Sequence, residues 1–229
     1  MTSALLLFAA DNEIYIDQSG GTALNLDIEQ INGSGNLIGG ATASAGSMTP
    51  LDLDGASMSL DILQKGSTNK FLGDIWADSY TGYFSFLGST NTFNMQTDPT
   101  NTYGADSSNV NVQVTGSSNT MTLNQATNSI AATLNLDWII QGSSNTITSS
   151  IDIDGATNLM DIDGSDNTVT YDGDGYAGGY FYLDQTGGSR TFNITQQSTS
   201  DNDWLKITSV GSNGVVCVNQ SDAATSFVC

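Results

Sequence analysis

One short element recurs along this chain and limits what it can fold into. It is a Gly-Ser-x-Asn tetrapeptide: Gly33-Ser34-Gly35-Asn36, Gly66-Ser67-Thr68-Asn69, Gly88-Ser89-Thr90-Asn91, Gly116-Ser117-Ser118-Asn119, Gly142-Ser143-Ser144-Asn145 and Gly164-Ser165-Asp166-Asn167. Two weaker copies follow, Gly187-Gly188-Ser189-Arg190 and Gly211-Ser212-Asn213-Gly214. Successive copies start 33, 22, 28, 26, 22, 23 and 24 residues apart. Self-similarity at such a period marks a repeat architecture. Glycine and asparagine tolerate positive φ, and Ser, Thr and Asn side chains bond to nearby backbone, so each copy reads as a turn.

Between the turns the sequence alternates. Leu24-Asn25-Leu26-Asp27-Ile28-Glu29, Val110-Asn111-Val112-Gln113-Val114-Thr115 and Met160-Asp161-Ile162-Asp163 place apolar residues at every second position. That period buries one face of a strand and wets the other. Composition agrees: Ser, Thr, Asn and Gly number 28, 27, 21 and 25 of 229 residues, while only 2 Glu, 3 Lys and 1 Arg are available as helix formers. An apolar fraction of 38%, spread along the chain, separates it from a disordered polar sequence.

The expected fold is all-β: a repeat-built β-solenoid, a β-helix-like stack of short strands, with a β-sandwich or β-prism as the alternative. Secondary turns are expected at Gly20-Gly21, Gly55-Ala56, Gly155-Ala156 and Gly173-Asp174-Gly175, and loops at 41–49 and 97–108. Residues 1–175 form the β-repeat domain. Residues 176–229, richer in aromatics, form a C-terminal β cap continuous with it, as stacked repeats require.

Charge narrows the partners. A formal net charge of −20 disfavours nucleic acid, whose phosphates need clustered Lys and Arg. No apolar run approaches the roughly 20 residues of a membrane span, so no membrane insertion is expected. Residues 4–10 are apolar, but Met1-Thr2-Ser3 carries no positive charge, which favours a buried strand over a signal-peptide core. The absence of His removes Ser-His-Asp and Cys-His catalysis and His-ligated metals together. A solenoid glycosidase using paired carboxylates is the remote enzymatic alternative. The pairs Asp52/Asp54, Asp152/Asp154, Asp161/Asp163 and Asp172/Asp174 are expected instead as polar outer faces of amphipathic strands, so the chain is expected not to be an enzyme. Asp152, Asp161 and Asp172 are expected to stack on one face. Asp172 and Asp174 are the calcium candidates, through hard oxygen ligands. Cys217 and Cys229 flank a short turn and are expected to form a disulfide, which points to an oxidising destination. Trp76, Trp138 and Trp204, with Tyr80, Tyr83 and Tyr103, are candidate glycan-stacking rings, Trp138 being expected in the core.

The segment Gln64-Lys65-Gly66-Ser67-Thr68-Asn69 resembles the curlin repeat, whose core is Gln-x-Gly-x-x-Asn with a later Gln. Gln30 to Asn36 and Gln113 to Asn119 are near matches, and Gln125 stands in the later-Gln position. The resemblance implies a compact solenoid with Gln and Asn stacked inside, and assembly into extracellular fibres. In its low Lys, its high Asn, Thr and Ser and its turns, the chain is also similar to fibre-like virion proteins of tailed phages of marine or cyanobacterial hosts. The expected function is a structural or adhesive component of a bacteriophage virion, a fibre or a capsid or tail decoration. The alternative is a secreted curlin-like fibre or adhesin at the cell surface. Expected partners are further copies in a homo-oligomer, other virion proteins and a host surface glycan.

Overall fold

The computed structural model describes residues 11–39, 51–97, 107–125, 134–151, 156–175, 179–198 and 203–221. Fifteen strands run through them: β1 (Asp11–Ile14), β2 (Asp17–Gly21), β3 (Leu24–Ile38), β4 (Leu51–Leu87), β5 (Thr90–Thr97), β6 (Ser107–Thr115), β7 (Thr120–Gln125), β8 (Leu134–Gln141), β9 (Thr146–Ile151), β10 (Thr157–Asp163), β11 (Asn167–Gly175), β12 (Tyr180–Thr186), β13 (Arg190–Ser198), β14 (Trp204–Val210) and β15 (Gly214–Ser221).

The pairing decides between the two expected architectures. Each strand from β5 onward pairs with the strand two places away in sequence, always in parallel. A hairpin-built sandwich or prism would pair consecutive strands antiparallel. The chain instead alternates between an even sheet, β6-β8-β10-β12-β14, and an odd sheet, β5-β7-β9-β11-β13-β15. β4 joins both, pairing with β5 through Thr68–Ile75 and with β6 through Ser79–Leu87. The fold is a β-solenoid of about seven turns. β12 to β15 continue the same two sheets in register.

Alternation fills the interior. On β6, Val110, Val112 and Val114 are buried, and on β10 the buried Met160 and Ile162 alternate with Asp161 and Asp163. Phe71, Phe84 and Phe93 form a ring cluster with centroids 5.0 to 5.5 Å apart, and Trp138 meets Phe93 edge-on at 6.0 Å. A second pair, Tyr171 and Phe181, stacks at 4.2 Å. Each such ring contributes on the order of 2 to 3 kcal/mol by leaving water.

Three glycines make room for these rings. A Cβ on Gly73 would strike the Phe71 ring at 2.8 Å, one on Gly82 the Phe84 ring, and one on Gly173 the Tyr171 ring at 2.8 Å. Gly173 and Gly175 lie within β11, and Gly20, Gly21 and Gly55 within β2 and β4, where the sequence had suggested turns. At Gly173 the glycine answers a packing need rather than a bend, whereas the pairing of β2 with β4 shifts register between Gln18 and Gly21. Gly155 lies outside the described residues.

The repeat turns stack into one corner. Gly116, Gly142 and Gly164 stand between strands with φ of +145°, +141° and +152°, whereas Gly33 and Gly66 fall inside β3 and β4, where they pair with each other. A Cβ on any of Gly88, Gly116, Gly142, Gly164, Gly187 or Gly211 would land on the carbonyl oxygen of the glycine one coil below. The left-handed residue proper is the one before the asparagine: Ser118, Ser144 and Asp166 have φ near +60°.

The asparagine does something else. Asn36, Asn69, Asn91, Asn119, Asn145 and Asn167 are buried and point along the axis. Each Nδ2 donates to the next Oδ1, at 2.8, 2.7, 2.8, 2.7 and 2.9 Å in order. From Asn69 to Asn145, Nδ2 also lies 2.7 to 3.4 Å from the carbonyl oxygen of the turn's own glycine. The backbone N–H groups of Asn91, Asn119 and Asn145 donate to the same Oδ1 above them, at 3.0 to 3.2 Å. From Asn69 to Asn145 the buried amides thus find partners for both the N–H groups and the oxygen, as burial demands.

Glutamines add a short second ladder. Gln64 Nε2 donates to Gln30 Oε1 at 2.7 Å and to the Lys70 carbonyl at 3.0 Å. Gln30 stands three residues before its glycine rather than two, and a bulge between Ile31 and Gly33, with Asn32 at φ +67°, restores the phase. Gln113 has no such bulge. The odd offset turns it to the outer face beside Ser85 and Ile139, although its sequence matched the same motif.

Gly142→Ala is expected to lower stability by at least about 2 kcal/mol, because it combines a disfavoured φ with a collision against backbone. Gly188→Ala, with no atom closer than 3.5 Å to the added carbon, is expected to be near neutral. Urea melts of the two variants check this.

Candidate functional surfaces

Outer residues of parallel coils fall into columns, so a surface here is read along the axis rather than along the sequence. On the even sheet, one column runs Thr81, Asn109, Asn135, Thr157, Tyr180, Trp204, and the next runs Tyr83, Asn111, Asp137, Leu159, Tyr182, Lys206. The first four members of each line an open groove of about 280 Å³. Its polar groups are ordered by each other: Asn135 Nδ2 donates to Asn109 Oδ1 at 2.9 Å, and Asn111 Nδ2 to Asp137 Oδ2 at 3.1 Å. Tyr83 and Leu159 are 40% and 38% exposed at either end.

Beyond the groove the same columns become aromatic. Tyr180 stacks on Trp204 with centroids 6.1 Å apart, and Trp204 remains 64% exposed. Lys206 Nζ sits 4.8 Å from the centre of the Tyr182 ring, whose hydroxyl donates to Asp184 Oδ2 at 3.2 Å. Rings flanking planar amides and a carboxylate can stack on a sugar and hydrogen-bond its hydroxyls.

Of the six rings singled out from sequence, Tyr83 and Trp204 stand on this face. Trp138 is core, as expected. Tyr80 is also buried; its hydroxyl donates to Gln125 at 2.8 Å, and burial raises its pKa well above the usual phenol range. Tyr103 and the side chain of Trp76 lie outside the described residues. Columns such as Asn109–Asn135 carried no sequence signal, because their members are 26 residues apart.

The carboxylates distribute differently from the sequence expectation. Asp161 is on β10 in the even sheet and Asp172 on β11 in the odd sheet, so the turn at Gly164 puts them on different faces; Asp152 lies outside the described residues. Asp161 instead faces Asp184 in register, Asp17 faces Asp52 and Asp27 faces Asp61. Partial burial, then Asp184, Asp163 and Asp137, raise the pKa of Asp161 above the ordinary carboxylate value. Burial, then Asp17 and Asp54, raise that of Asp52.

Asp172 is exposed on β11, and the side chain of Asp174 lies outside the described residues. Among the described residues, no three His, Cys, Asp or Glu side chains stand together in a way that could hold a metal ion. Cys217 is half-buried on β15, and Cys229 lies outside the described residues. No helix among the described residues is long and apolar enough to cross a membrane.

These surfaces belong to a β-solenoid whose outer columns are set by register. No family model matches the chain, and neither does any curated protein or solved structure.

Opposed carboxylates set the response to salt and acid. Like charges directly opposite in neighbouring strands destabilise by roughly 0.2 to 1 kcal/mol. Melting temperature is expected to rise with NaCl, most of the gain coming by about 0.1 to 0.2 M as the Debye length falls below about 10 Å. The raised carboxyl groups bind protons more tightly folded than unfolded. Their stabilising effect is complete below the ordinary carboxylate pKa and is lost as pH rises through the raised values of Asp52 and Asp161, so stability should increase on acidification through that window. Asp184→Asn should raise the melting temperature at neutral pH and flatten both responses. A CaCl2 series at matched ionic strength separates screening from specific binding, with equal gains expected.

Proposed function

We propose that the chain is a structural or adhesive component of a bacteriophage virion, a fibre or a capsid or tail decoration, and that it has no catalytic role. The observation that carries this reading is the axial asparagine column, which ties successive coils with paired amides and backbone bonds. Such a spine holds successive coils in one stack, suited to a particle that must survive outside cells. A net charge of −20 keeps such assemblies soluble. The stacked Gln30/Gln64 and Asn36/Asn69 pairs resemble a curlin interior, which favours a secreted fibre or surface adhesin as the second reading.

Further copies of the chain or other virion proteins stack on its ends in this proposal. Val216 and Val218 continue the inner columns of Phe192 and Ile194, yet they are 46% and 38% exposed. Among the described residues, β15 pairs only with β13, so its other edge offers a ready template for another strand. A disulfide between Cys217 and Cys229 closes the C-terminal turn, adding roughly 2 to 3 kcal/mol by restricting the unfolded chain. The even-sheet groove and the Tyr180–Trp204 stack supply the adhesive face, with a neutral host surface glycan as the partner.

Mass spectrometry and immunogold labelling of purified phage particles test the assignment. The chain is expected in the particle at a fixed copy number. Its presence on bacterial cells but not in particles would replace the virion reading with the adhesin. In solution, native mass measurement is expected to give multiples of 23.9 kDa, with each chain two hydrogens lighter than its reduced form.

A further inference from the structure

The outer face of the odd sheet has a composition unlike the rest of the molecule. One column runs Thr92, Thr120, Thr146, Thr168, Thr191. The adjacent column runs Thr122, Thr148, Thr170 between Asn94 and Asn193. Three consecutive coils thus present Thr-x-Thr, with Met121, Ile147 and Val169 as the fully buried middle residues. The pairing of β5, β7, β9, β11 and β13 shows no register shift.

The middle of this face also lacks charge: β5, β7 and β9 contain no Asp, Glu, Lys or Arg, in a chain with 24 carboxylates, and charge returns at its borders, with Lys70 beside Thr92 and Asp172 two residues beyond Thr170. On the even sheet β8, β10 and β12 carry Asp137, Asp161, Asp163 and Asp184. A face spared from so acidic a composition has a reason to be neutral.

We infer that the threonine face of the odd sheet binds ice, by holding a layer of water in a lattice-like array. Parallel strands repeat every 4.7 to 4.9 Å or so along the axis, and alternate residues along a strand lie about 6.6 Å apart. That net is of the same order as the oxygen repeats on the prism faces of hexagonal ice. Each threonine offers a hydroxyl that donates and accepts, beside a methyl group over which water closes in a cage. Its β-branched side chain has few rotamers, so hydroxyl and methyl repeat in the same orientation from coil to coil. The asparagine column beneath holds the coils in register before any water arrives, which removes the ordering penalty on binding. Carboxylates would impose their own hydration shells on such a layer, and this face has none along β5, β7 and β9.

Two other occupants fit less well. A polysaccharide would use aromatic rings, and the outer positions of the two threonine columns hold none; Tyr83 and Trp204, the two most exposed rings among the described residues, stand on the even sheet. A second copy would have to bury rows of hydroxyls without apolar surface to offset their desolvation. The inference rests on the odd sheet alone and is independent of the virion assignment.

Slow growth of ice from a solution of the full chain provides the test, with the protein in ice and in liquid quantified. The native chain is expected to be enriched in the ice and to hold small ice crystals against recrystallisation. Thr148→Tyr, which raises a ring above the middle of the array, and Thr122→Lys, which adds a charge, are expected to lose both effects while keeping the native circular dichroism. Ser59→Tyr, at an exposed position of β4 where it pairs with β3, is expected to behave as the native chain. Exclusion of the native chain from ice to the level of serum albumin would overturn the inference. So would native-like ice incorporation by both threonine variants. A change in solution mass on Thr148→Tyr, with the native chain excluded from ice, would also overturn it in favour of a face between two copies.

Discussion

The rest of this structure depends on a single column of buried amides. An asparagine inside a protein is costly unless both its N–H groups and its oxygen find partners. Here one N–H reaches the next coil, the other lies against the carbonyl of the turn's glycine, and the oxygen receives a side chain and a backbone N–H from the coil before. That closure works only if every coil places its asparagine at the same height and angle. The requirement explains the neighbouring glycines, since a Cβ there would press on the glycine carbonyl beneath and hold the coils apart. It also explains why coils of different length keep a common corner. Excess residues are taken up elsewhere, as in the bulge at Asn32 that keeps Gln30 stacked on Gln64.

The column has a direction and an end. Each Nδ2 donates toward the C-terminal coils, and at Asn167 the series stops: the next position is Arg190, and Asn167 Nδ2 finds no acceptor among the described residues. Beyond it the interior opens, with Leu205 and Ile207 only half-buried and Val216 and Val218 exposed. The terminal coil keeps the register of the middle coils without the asparagine, and its inner face is left partly uncovered among the described residues. The sides follow the same logic, for strict register turns scattered residues into columns. The even sheet thereby collects amides, aromatic rings and aspartates, while the odd sheet collects threonines.

Much of this was legible in the sequence, where the physics is local. The Gly-Ser-x-Asn copies announced the corner, the period-2 alternation announced the inner face, and the aspartates at alternate positions fell outside, as on β10. Features that depend on what lies one coil away were not legible. Gly173 looks like a turn residue until the ring of Tyr171 is in place, and nothing near Gly73 and Gly82 in sequence announces that they make room for Phe71 and Phe84. Gln113 looks like Gln64 until its offset of one residue turns it outward. Asp161 and Asp172 look like neighbours until the corner at Gly164 separates them. The Thr-x-Thr segments are unremarkable singly, and only parallel pairing over 22 to 28 residues makes an array of them.

Native-state hydrogen exchange at the corner tests the asparagine column most directly. The backbone amides of Asn119 and Asn145 lie in turns between strands, where exchange through local opening is ordinarily fast. Because they donate to Oδ1 of the next coil, they should exchange only through global unfolding, as slowly as the amides of Val112 and Ile147 in the core strands. Rapid exchange at Asn119 and Asn145, with the strand amides still protected, would contradict the account, for it would mean that the coils are held by their strands and that the column contributes nothing to their register.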